Sequence, residues 1–223
     1  MARIRFVSFD LDGTLFDNRF VDSVWLEEIP RLYSVKKRVS IDDAKEKVLR
    51  EYGKVGKKRL EWYDLQYWIE KFGLDVAREE LLKKFENRIK AFPEVPRVLE
   101  QLRRKGFRLI VVTNARREFA ELELQKADME KHFERVFSST SDFRMVKKTA
   151  DLYRRVCNIL GISPQEIVHV GDDPDFDFKV PRKLGITAFH LDRTGKQKGE
   201  CVIYSMNELN RRLARPEGRL AIT

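Results

Sequence analysis

Hydrophobic positions follow two different spacings along the chain, and the two alternate over most of its length. Short apolar runs rich in β-branched and aromatic residues, typical of buried strands, cover residues 4–9, 107–112, 136–138, 167–170 and 187–191. Between the later runs the apolar positions recur at helical spacing, and a last helix is predicted over residues 206–213. This alternation predicts an α/β fold, a doubly wound parallel sheet with helices on both faces.

Residues 16–92 break the alternation, because their apolar positions show helical spacing alone. A connection of more than seventy residues is too long to be a loop inside a compact domain. We therefore predict two domains. Residues 1–15 and 93–223 form the sheet domain, and residues 16–92 form a small all-helical domain inserted over the mouth of the sheet.

Basic and acidic residues are interleaved along the whole chain. There are 45 Lys and Arg against 36 Asp and Glu, which gives a formal charge of +9. Interleaving of this kind is typical of solvated, ion-paired helix faces, so we expect no nucleic-acid partner. The positive field suits a modest attraction for phosphorylated anions. Charged residues make up 36% of the chain, and this excess resembles the composition of heat-stable, thermophilic proteins.

The cysteines and the lengths of the apolar stretches indicate whether to expect a zinc site, disulfides or a membrane span, and in which compartment the protein is located. Cys157 and Cys201 are isolated in the sequence, so neither a zinc site nor a disulfide framework is expected. Arg3 and Arg5 lead straight into the first strand, without the apolar region of a signal peptide. No apolar stretch approaches the roughly 18 residues of a membrane span. We expect a cytoplasmic protein with no membrane partner, either a monomer or a homodimer.

Polar clusters follow four of the predicted strands. They are Asp10 and Asp12 after the first strand, Thr113 and Asn114 after the second, Lys147 and Lys148 after the third, and Asp172, Asp173, Asp175 and Asp177 after the fourth. Each cluster alone is more typical of a turn, a helix cap or a solvated charge. Together they lie at strand carboxyl ends, where doubly wound sheets bind ligands, so we predict one shared site.

The residue types in these clusters indicate a chemistry. Several carboxylates in one crevice repel one another and raise each other's pKa unless a cation lies among them. Ligands that offer only oxygen suit a hard cation, and Mg²⁺ combines one or two carboxylates with waters and phosphate oxygens. A hydroxyl, an amide and a lysine opposite such an ion suit the charged oxygens of a transferring phosphoryl group. The clusters therefore predict Mg²⁺-dependent phosphoryl transfer.

Four motifs, in this order, resemble those of the haloacid dehalogenase superfamily. They are Phe9-Asp10-Leu11-Asp12-Gly13-Thr14-Leu15-Phe16-Asp17, Val111-Val112-Thr113-Asn114, Lys147 with Tyr153 six residues later, and Val170-Gly171-Asp172 with Asp177 and Gly185. The third departs from the family pattern, because Lys148 and Ala150 stand where prolines are usual. That departure leaves Lys148 the weaker candidate for the catalytic lysine. The resemblance covers residues 1–16 and 93–192 and implies a Rossmann-like core, with the inserted block as a helical cap.

The resemblance also implies roles for the residues around the reacting phosphorus. Asp10 would be the nucleophile and form an aspartyl phosphate. Asp12 would protonate the leaving oxygen and later activate a water. Thr113, with backbone N–H groups around Asn114, would hold the phosphoryl oxygens. Lys147 would neutralise charge and orient Asp10.

A metal site is implied in the same way. Mg²⁺ would be held by the Asp10 carboxylate, the backbone carbonyl of Asp12 and the Asp172 carboxylate. Asp177 would orient metal-bound waters or the catalytic lysine. Asp173 stands where relatives often have Ser, so its role is left open.

Asp12 also bears on which reaction is catalysed. Dehalogenases of this superfamily lack the second carboxylate, because a halide leaves without a proton, whereas an alkoxide that leaves phosphorus needs one. We therefore expect hydrolysis of a small phosphorylated metabolite, a phosphate monoester. The alternatives are a 2-haloacid dehalogenase, a phosphomutase of the same superfamily, and a non-catalytic binding protein that uses its basic surface.

Two features outside the motifs complete the expectations. We expect one or two of the four cations Lys54, Lys57, Lys58 and Arg59 in the helical block to reach the substrate, with a solvated loop as the alternative. His169, inside the fourth strand, is expected to be a buried structural residue rather than a base.

Overall fold

A computed structural model describes residues 3–213 and contains a six-stranded, all-parallel sheet with the strand order β3-β2-β1-β4-β5-β6. The strands are β1 Phe6–Phe9, β2 Arg108–Thr113, β3 Arg135–Ser138, β4 Ile167–Gly171, β5 Thr187–Leu191 and β6 Val202–Ile203. The predicted doubly wound α/β fold is confirmed. Five of the strands were predicted, and the two-residue β6 at the edge was not.

Eleven α-helices occur in the described residues. They are α1 Arg19–Asp22, α2 Ile29–Lys37, α3 Ile41–Val55, α4 Leu65–Phe72, α5 Arg78–Lys84, α6 Val95–Arg104, α7 Arg117–Lys126, α8 Ser139–Asp142, α9 Ala150–Leu160, α10 Val180–Lys183 and α11 Met206–Arg212. Short π-helical segments, Ser23–Glu28 and Pro174–Lys179, join α1 to α2 and precede α10. None of the helices in this part of the chain has the length and apolar character needed to cross a membrane.

Alternate side chains of β1 enter two different hydrophobic clusters. Val7 and Phe9 pack with the apolar faces of α6, α7 and α11. Phe6 packs on the opposite face with α9, for example with Leu152. Because successive side chains of a strand point to opposite faces, both faces of the sheet are covered, and every residue of β1 is buried.

The register of the sheet brings the polar strand ends together. Phe9, the last residue of β1, pairs with Val111 of β2 on one side and with Val170 of β4 on the other. The backbone N–H of Asp10 continues the ladder by donating to the Val170 carbonyl at 2.9 Å. Since the strands are parallel, the residues that follow them share one edge of the sheet.

Helices between β1 and β2 form an inserted region with its own core, which includes Phe20, Trp68 and Phe72. The chain enters and leaves this region side by side, because the N–H of Phe92 donates to the Leu15 carbonyl at 3.0 Å. The helical insert is thus confirmed. Its limits at residues 16 and 92 stay a prediction, and residues 1–2 and 214–223 of the predicted sheet domain lie outside the described residues.

Candidate active site

Asp10, the first residue after β1, lies at the centre of the site and is only 7% exposed. The Nζ of Lys148 lies 2.7 Å from its Oδ1 atom, and the same Nζ also pairs with Asp177. Burial raises the pKa of Asp10, and the Lys148 charge opposes that shift. Burial alone would lower the pKa of Lys148, but Asp10 and Asp177 outweigh it and raise that pKa. The lysine is therefore held as a cation between two carboxylates.

The lysine at this position is not the one that we predicted. Lys148 is 2% exposed, whereas the Nζ of Lys147 lies 4.9 Å from the centre of the Phe176 ring, outside the group of carboxylates. The placement of Lys147 beside Asp10 was therefore wrong. The N–H of Thr149 donates to the Lys147 carbonyl at 2.9 Å, and this tight turn before α9 points neighbouring side chains in different directions. The spacing to Tyr153 did not reveal which of the two lysines turns inward.

Asp177 is fixed by several buried contacts. Its Oδ1 lies 3.0 Å from Nε2 of His169, and its Oδ2 accepts the backbone N–H of Asp173 at 3.1 Å. Although burial raises the pKa of Asp177, Lys148 and His169 lower it to about 2. His169 is fully buried, and its Nδ1 lies 2.8 Å from the Ser8 hydroxyl. The expectation that His169 is buried is confirmed, and its structural role stays a prediction.

Three carboxylates of the site lie close enough to share a metal ion. One carboxylate oxygen from each of Asp10, Asp172 and Asp177 lies within 4.8 Å of the other two. Burial first, and then the charges of Asp10 and Asp177, raise the pKa of Asp172 to about 7. The Asp172 carboxylate lies against Gly13, where an added Cβ would stand 2.5 Å from Oδ2. The expected metal-binding group of Asp10 and Asp172 is therefore assembled, and Asp177 lies nearer to it than we expected.

Asp12 lines a cavity beneath the helical insert. Burial and the charge of Asp10 raise its pKa to about 7. Beside it lies Glu123 of α7, which is fully buried. Burial raises the pKa of Glu123 well above its usual value, and nearby Asp12 adds to the shift. Sequence reasoning missed Glu123, because a single glutamate in a predicted helix carries no signal of its own.

The end of β2 contributes polar groups to the same edge. Thr113 is buried, and its hydroxyl accepts the N–H of Ala115 at 3.1 Å. Asn114 lines the cavity next to Asp12, and its Oδ1 accepts from the Ser139 hydroxyl at 2.6 Å. Ser139 was not predicted, although it follows the third strand directly. The two predicted residues thus lie at the site, and Ser139 fixes the Asn114 amide.

Asp173 and Asp175 belong to the segment that follows β4. Oδ1 of Asp173 accepts the backbone N–H groups of Asp175 and Phe176, each at 2.8 Å, so it caps the π-helical segment. Asp175 pairs with Lys179 at 2.8 Å on the surface. Both carboxylates are engaged in these local contacts, and neither belongs to the group of Asp10, Asp172 and Asp177.

The cavity beside Asp12 has a volume of about 320 Å³ and lies between the sheet edge and the helical insert. Asp12, Asn114 and Arg116 line it from the sheet side, and Trp25, Tyr52 and Trp62 are among the residues that line it from the insert. Two contacts join the insert to the sheet domain beside it. Arg116 pairs with Asp64 at 3.0 Å, and the Tyr63 hydroxyl donates to the Val146 carbonyl at 3.2 Å.

Three of the four cations that we expected to reach the substrate make local contacts within the insert. Lys54 pairs with Glu51 at 2.8 Å, and Arg59 forms hydrogen bonds with Glu61. Lys57 lies over the Trp62 ring, 5.4 Å from its centre. Lys58 lines a separate cavity together with Lys147. Within the described residues, none of the four cations lines the cavity beside Asp12, and their contact with the substrate stays a prediction.

Comparisons with known proteins agree with this geometry. A family model for haloacid dehalogenase-like hydrolases matches residues 4–185. The chain is 27% identical over 186 residues to the GMP/IMP nucleotidase YrfG of Escherichia coli, covering 81% of this chain and 82% of that protein. It is 28% identical over 190 residues to a phosphoglycolate phosphatase of Aquifex aeolicus, with 82% of each covered. A crystal structure of a HAD phosphatase from Thermococcus onnurineus superposes with a TM-score of 0.81 at 27% identity, covering 93% of this chain and 97% of that one. The match over most of the chain shows that the protein belongs to the haloacid dehalogenase-like hydrolase family.

Proposed function

We propose that this hydrolase is a Mg²⁺-dependent phosphatase that cleaves a small phosphate monoester through a phosphorylated Asp10. The observation that carries the proposal is the position of Asp12. It lies two residues from the buried Asp10 and borders the cavity, where a leaving group would be held. A carboxyl with a pKa of about 7 can donate a proton near neutral pH, which an alkoxide needs and a halide does not.

In the first step, an oxygen of Asp10 attacks phosphorus and the bond to the ester oxygen breaks. Asp12 gives its proton to that oxygen, and the alcohol leaves. Lys148 holds the attacking carboxylate in place through its 2.7 Å contact with Oδ1. We assign to Lys148 the role that the sequence had suggested for Lys147. Thr113 and the backbone around Asn114 would contact the phosphoryl oxygens.

In the second step, Asp12 has lost its proton and acts as the base. It accepts a proton from a water that attacks the phosphorus of the phosphorylated Asp10. The bond between phosphorus and the Asp10 oxygen breaks, inorganic phosphate forms and the carboxylate is restored. A pKa near 7 suits both directions of this proton transfer.

The donor set of the site fits a hard divalent cation. Its close carboxylates offer only oxygen, and burial together with the charges of Asp10 and Asp177 raises the pKa of Asp172 to about 7. Asp10 and Asp172 would hold Mg²⁺, together with the Asp12 carbonyl. Bound there, the ion would neutralise charge on the transferring phosphoryl group. Asp177 would keep Lys148 and the neighbouring N–H of Asp173 in position.

The relatives support phosphate esters as the substrate class. The names of the two curated relatives describe a nucleotidase and a phosphoglycolate phosphatase. We also propose that residues 16–92 act as a cap that encloses the substrate and excludes water. The Arg116–Asp64 pair and the bond from Tyr63 to the Val146 carbonyl would hold this cap against the sheet domain.

A panel of phosphorylated metabolites assayed with Mg²⁺ tests the proposal, with Asp10→Asn and Asp12→Asn as the variants. We expect phosphate release by the wild-type protein and a loss of at least about a hundredfold in kcat for Asp10→Asn. Activity of Asp10→Asn near the wild-type rate would overturn the mechanism. Release of halide from 2-haloacids without metal, and no phosphate release, would favour a dehalogenase instead.

A further inference from the structure

The cavity beside Asp12 indicates which kind of alcohol the enzyme releases from the phosphate ester. If the proposed function holds, Asp12 protonates the ester oxygen, so the alcohol lies on the cavity side of Asp12 and the phosphoryl group lies towards Asp10. This inference about the alcohol therefore rests on the proposed function. The residues that line the cavity beyond Asp12 and Asn114 then contact the leaving group alone.

Five of the twelve residues that line the cavity are aromatic, and several of these rings pack against one another. Trp25 stacks on Phe119 with ring centres 5.9 Å apart and planes 12° apart. Tyr52 lies edge-on to Trp25 at 6.0 Å, and its hydroxyl donates to the Trp25 carbonyl at 3.1 Å. Trp62 also lines the cavity from the insert. Aromatic rings fixed in this way offer a flat apolar surface that loses little conformational entropy on binding.

The charges around the cavity disfavour an acidic leaving group. Asp22 of α1 lines the cavity, and it has no ion-pair partner among residues 3–213. Arg116, the cation of the lining, is already engaged by Asp64 at 3.0 Å and lies 3.6 Å from Glu118. A carboxylate or a second phosphate on the alcohol would therefore meet an unneutralised negative charge. A hydroxyl or N–H donor would instead find an acceptor in Asp22.

The size of the cavity also argues against a very small alcohol. Its volume of about 320 Å³ corresponds to roughly ten waters at ~30 Å³ each in the liquid. A two-carbon or three-carbon alcohol would leave much of this aromatic space filled by water. A ring system of one or two fused rings, attached through a sugar, would fill it.

We infer that the leaving group is an uncharged nucleoside and that the substrate class is the nucleoside 5′-monophosphates, with the base against Trp25 and Trp62. Asp22 selects against acidic alcohols and accepts a hydrogen bond from the nucleoside. The wall supplies the stacking surface that a base recognises, and no cation of the insert that could attract a second anion lines the described cavity.

Two substrates that differ by the base alone test the inference. We compare kcat/KM for inosine 5′-monophosphate and for ribose 5-phosphate, both with Mg²⁺. We expect the nucleotide to be preferred by roughly tenfold or more, the usual effect of one base stacked on an aromatic side chain. Equal values for the two esters would refute the inference and leave the proposed phosphatase function intact.

Variants of the cavity wall test which residue causes the preference for the nucleotide. Trp25→Leu should reduce the ratio of the two kcat/KM values by roughly tenfold. Tyr33→Leu is the matched control, because Tyr33 packs against Phe72 in the same insert and does not line the cavity. An unchanged ratio in Trp25→Leu, or an equal loss in Tyr33→Leu, would contradict the role of Trp25.

A second pair of variants tests the exclusion of acidic alcohols. Asp22→Asn should raise kcat/KM for phosphoglycolate several-fold, because the repulsive charge is removed. Glu27→Gln is the control, since Glu27 is paired with Arg88 at 2.7 Å and does not line the cavity. A wild-type protein that prefers phosphoglycolate to inosine 5′-monophosphate would overturn the inference.

If no ester is cleaved, ligand binding to the Asp10→Asn protein still tests the inference about the nucleoside separately from the proposed phosphatase function. Calorimetry with inosine 5′-monophosphate and ribose 5-phosphate, in the presence of Mg²⁺, measures the contribution of the base without turnover. Tighter binding of the nucleotide, with no hydrolysis by the wild-type protein, would support the inference on the ligand and refute the phosphatase. Equal or absent binding of both compounds would refute the inference.

Discussion

The Nζ atom of Lys148 lies 2.7 Å from Oδ1 of Asp10, and both side chains are almost completely buried. On its other side the same nitrogen pairs with Asp177. A buried charge is tolerated when partners replace its lost hydration, and here one cation serves two carboxylates. Removing Lys148 would leave both carboxylates buried without their counter-charge.

Lys148→Met should therefore abolish most of the activity and destabilise the fold. We expect kcat to fall by at least about a hundredfold, as when one preorganised electrostatic group is lost. The free energy of unfolding should fall by about 3–5 kcal/mol, the usual cost of breaking a buried ion pair from one side. Phosphate release assays and denaturant unfolding measure the two effects.

Lys147→Met is the matched control, since it makes the same chemical change one residue away. Lys147 contacts the Phe176 ring and does not touch Asp10, so its kcat and unfolding free energy should stay near the wild-type values. If Lys147→Met were the inactive variant and Lys148→Met the active one, the assignment from the geometry would be wrong.

These two lysines also show where sequence reasoning reaches its limit. Strand ends could be predicted, because buried strands have a strong apolar pattern and parallel strands end at one edge. That reasoning placed Asp10 and Asp172 at one edge, where the structure has their carboxylates close together. It could not choose between Lys147 and Lys148, because a turn decides which neighbouring side chain points inward, and residue type carries no such information.

Other contacts at the site depend on the packing of distant elements. Glu123 reaches Asp12 only because α7 packs against the start of the insert, and nothing in its helical spacing marks it. Val202–Ile203 formed an unpredicted strand because two residues give no periodic pattern. Contacts such as the pairing of Lys54 with Glu51 and the position of Lys57 over the Trp62 ring likewise carry no signal in the sequence.

The pH dependence of turnover should depend on whether the leaving group needs a proton. Burial and Asp10 raise the pKa of Asp12 to about 7, so the proton-donating form declines as the pH rises above about 7. We expect kcat/KM for an alkyl phosphate to fall above that pH, by up to about tenfold per unit. For p-nitrophenyl phosphate, whose leaving group needs no proton, the fall should be much smaller.

Asp12→Asn supplies the control for this profile. The variant should lose far more activity towards the alkyl ester than towards p-nitrophenyl phosphate, and the difference between their pH profiles should vanish. Identical profiles for the two esters in the wild-type protein would contradict the role of Asp12 as the acid.

Removal of metal should make stability depend on pH in a defined direction. Asp172 has a pKa of about 7 in the folded protein against 3.8 as the reference value. Between these values the folded state keeps a proton that the unfolded state has released, so the free energy of unfolding falls as the pH rises. Asp12 shifts in the same direction, also to about 7.

Bound Mg²⁺ should cancel the share of this loss that comes from Asp172, because the ion favours the ionised form of a carboxylate that holds it. Melting temperatures measured with EDTA and with Mg²⁺ should differ little at pH 5 and clearly at pH 8. The prediction is contradicted if Mg²⁺ raises the melting temperature equally at both pH values, or more at pH 5.

Gly13 offers a test of the metal-binding group that leaves every carboxylate unmutated. It has a φ of +74°, and an added Cβ would stand 2.5 Å from Oδ2 of Asp172, so Gly13→Ala must displace that side chain. We expect the Mg²⁺ concentration for half-maximal activity to rise by at least about tenfold, as for other changes that misplace a ligand.

Gly161→Ala is the matched control, because Gly161 has a φ of +63° and no described neighbour within 4 Å of the new Cβ. Both variants should lose about 1 kcal/mol of stability from backbone strain, but Gly161→Ala should keep the wild-type Mg²⁺ dependence. Equal Mg²⁺ dependence in the two variants would mean that Asp172 does not hold the ion.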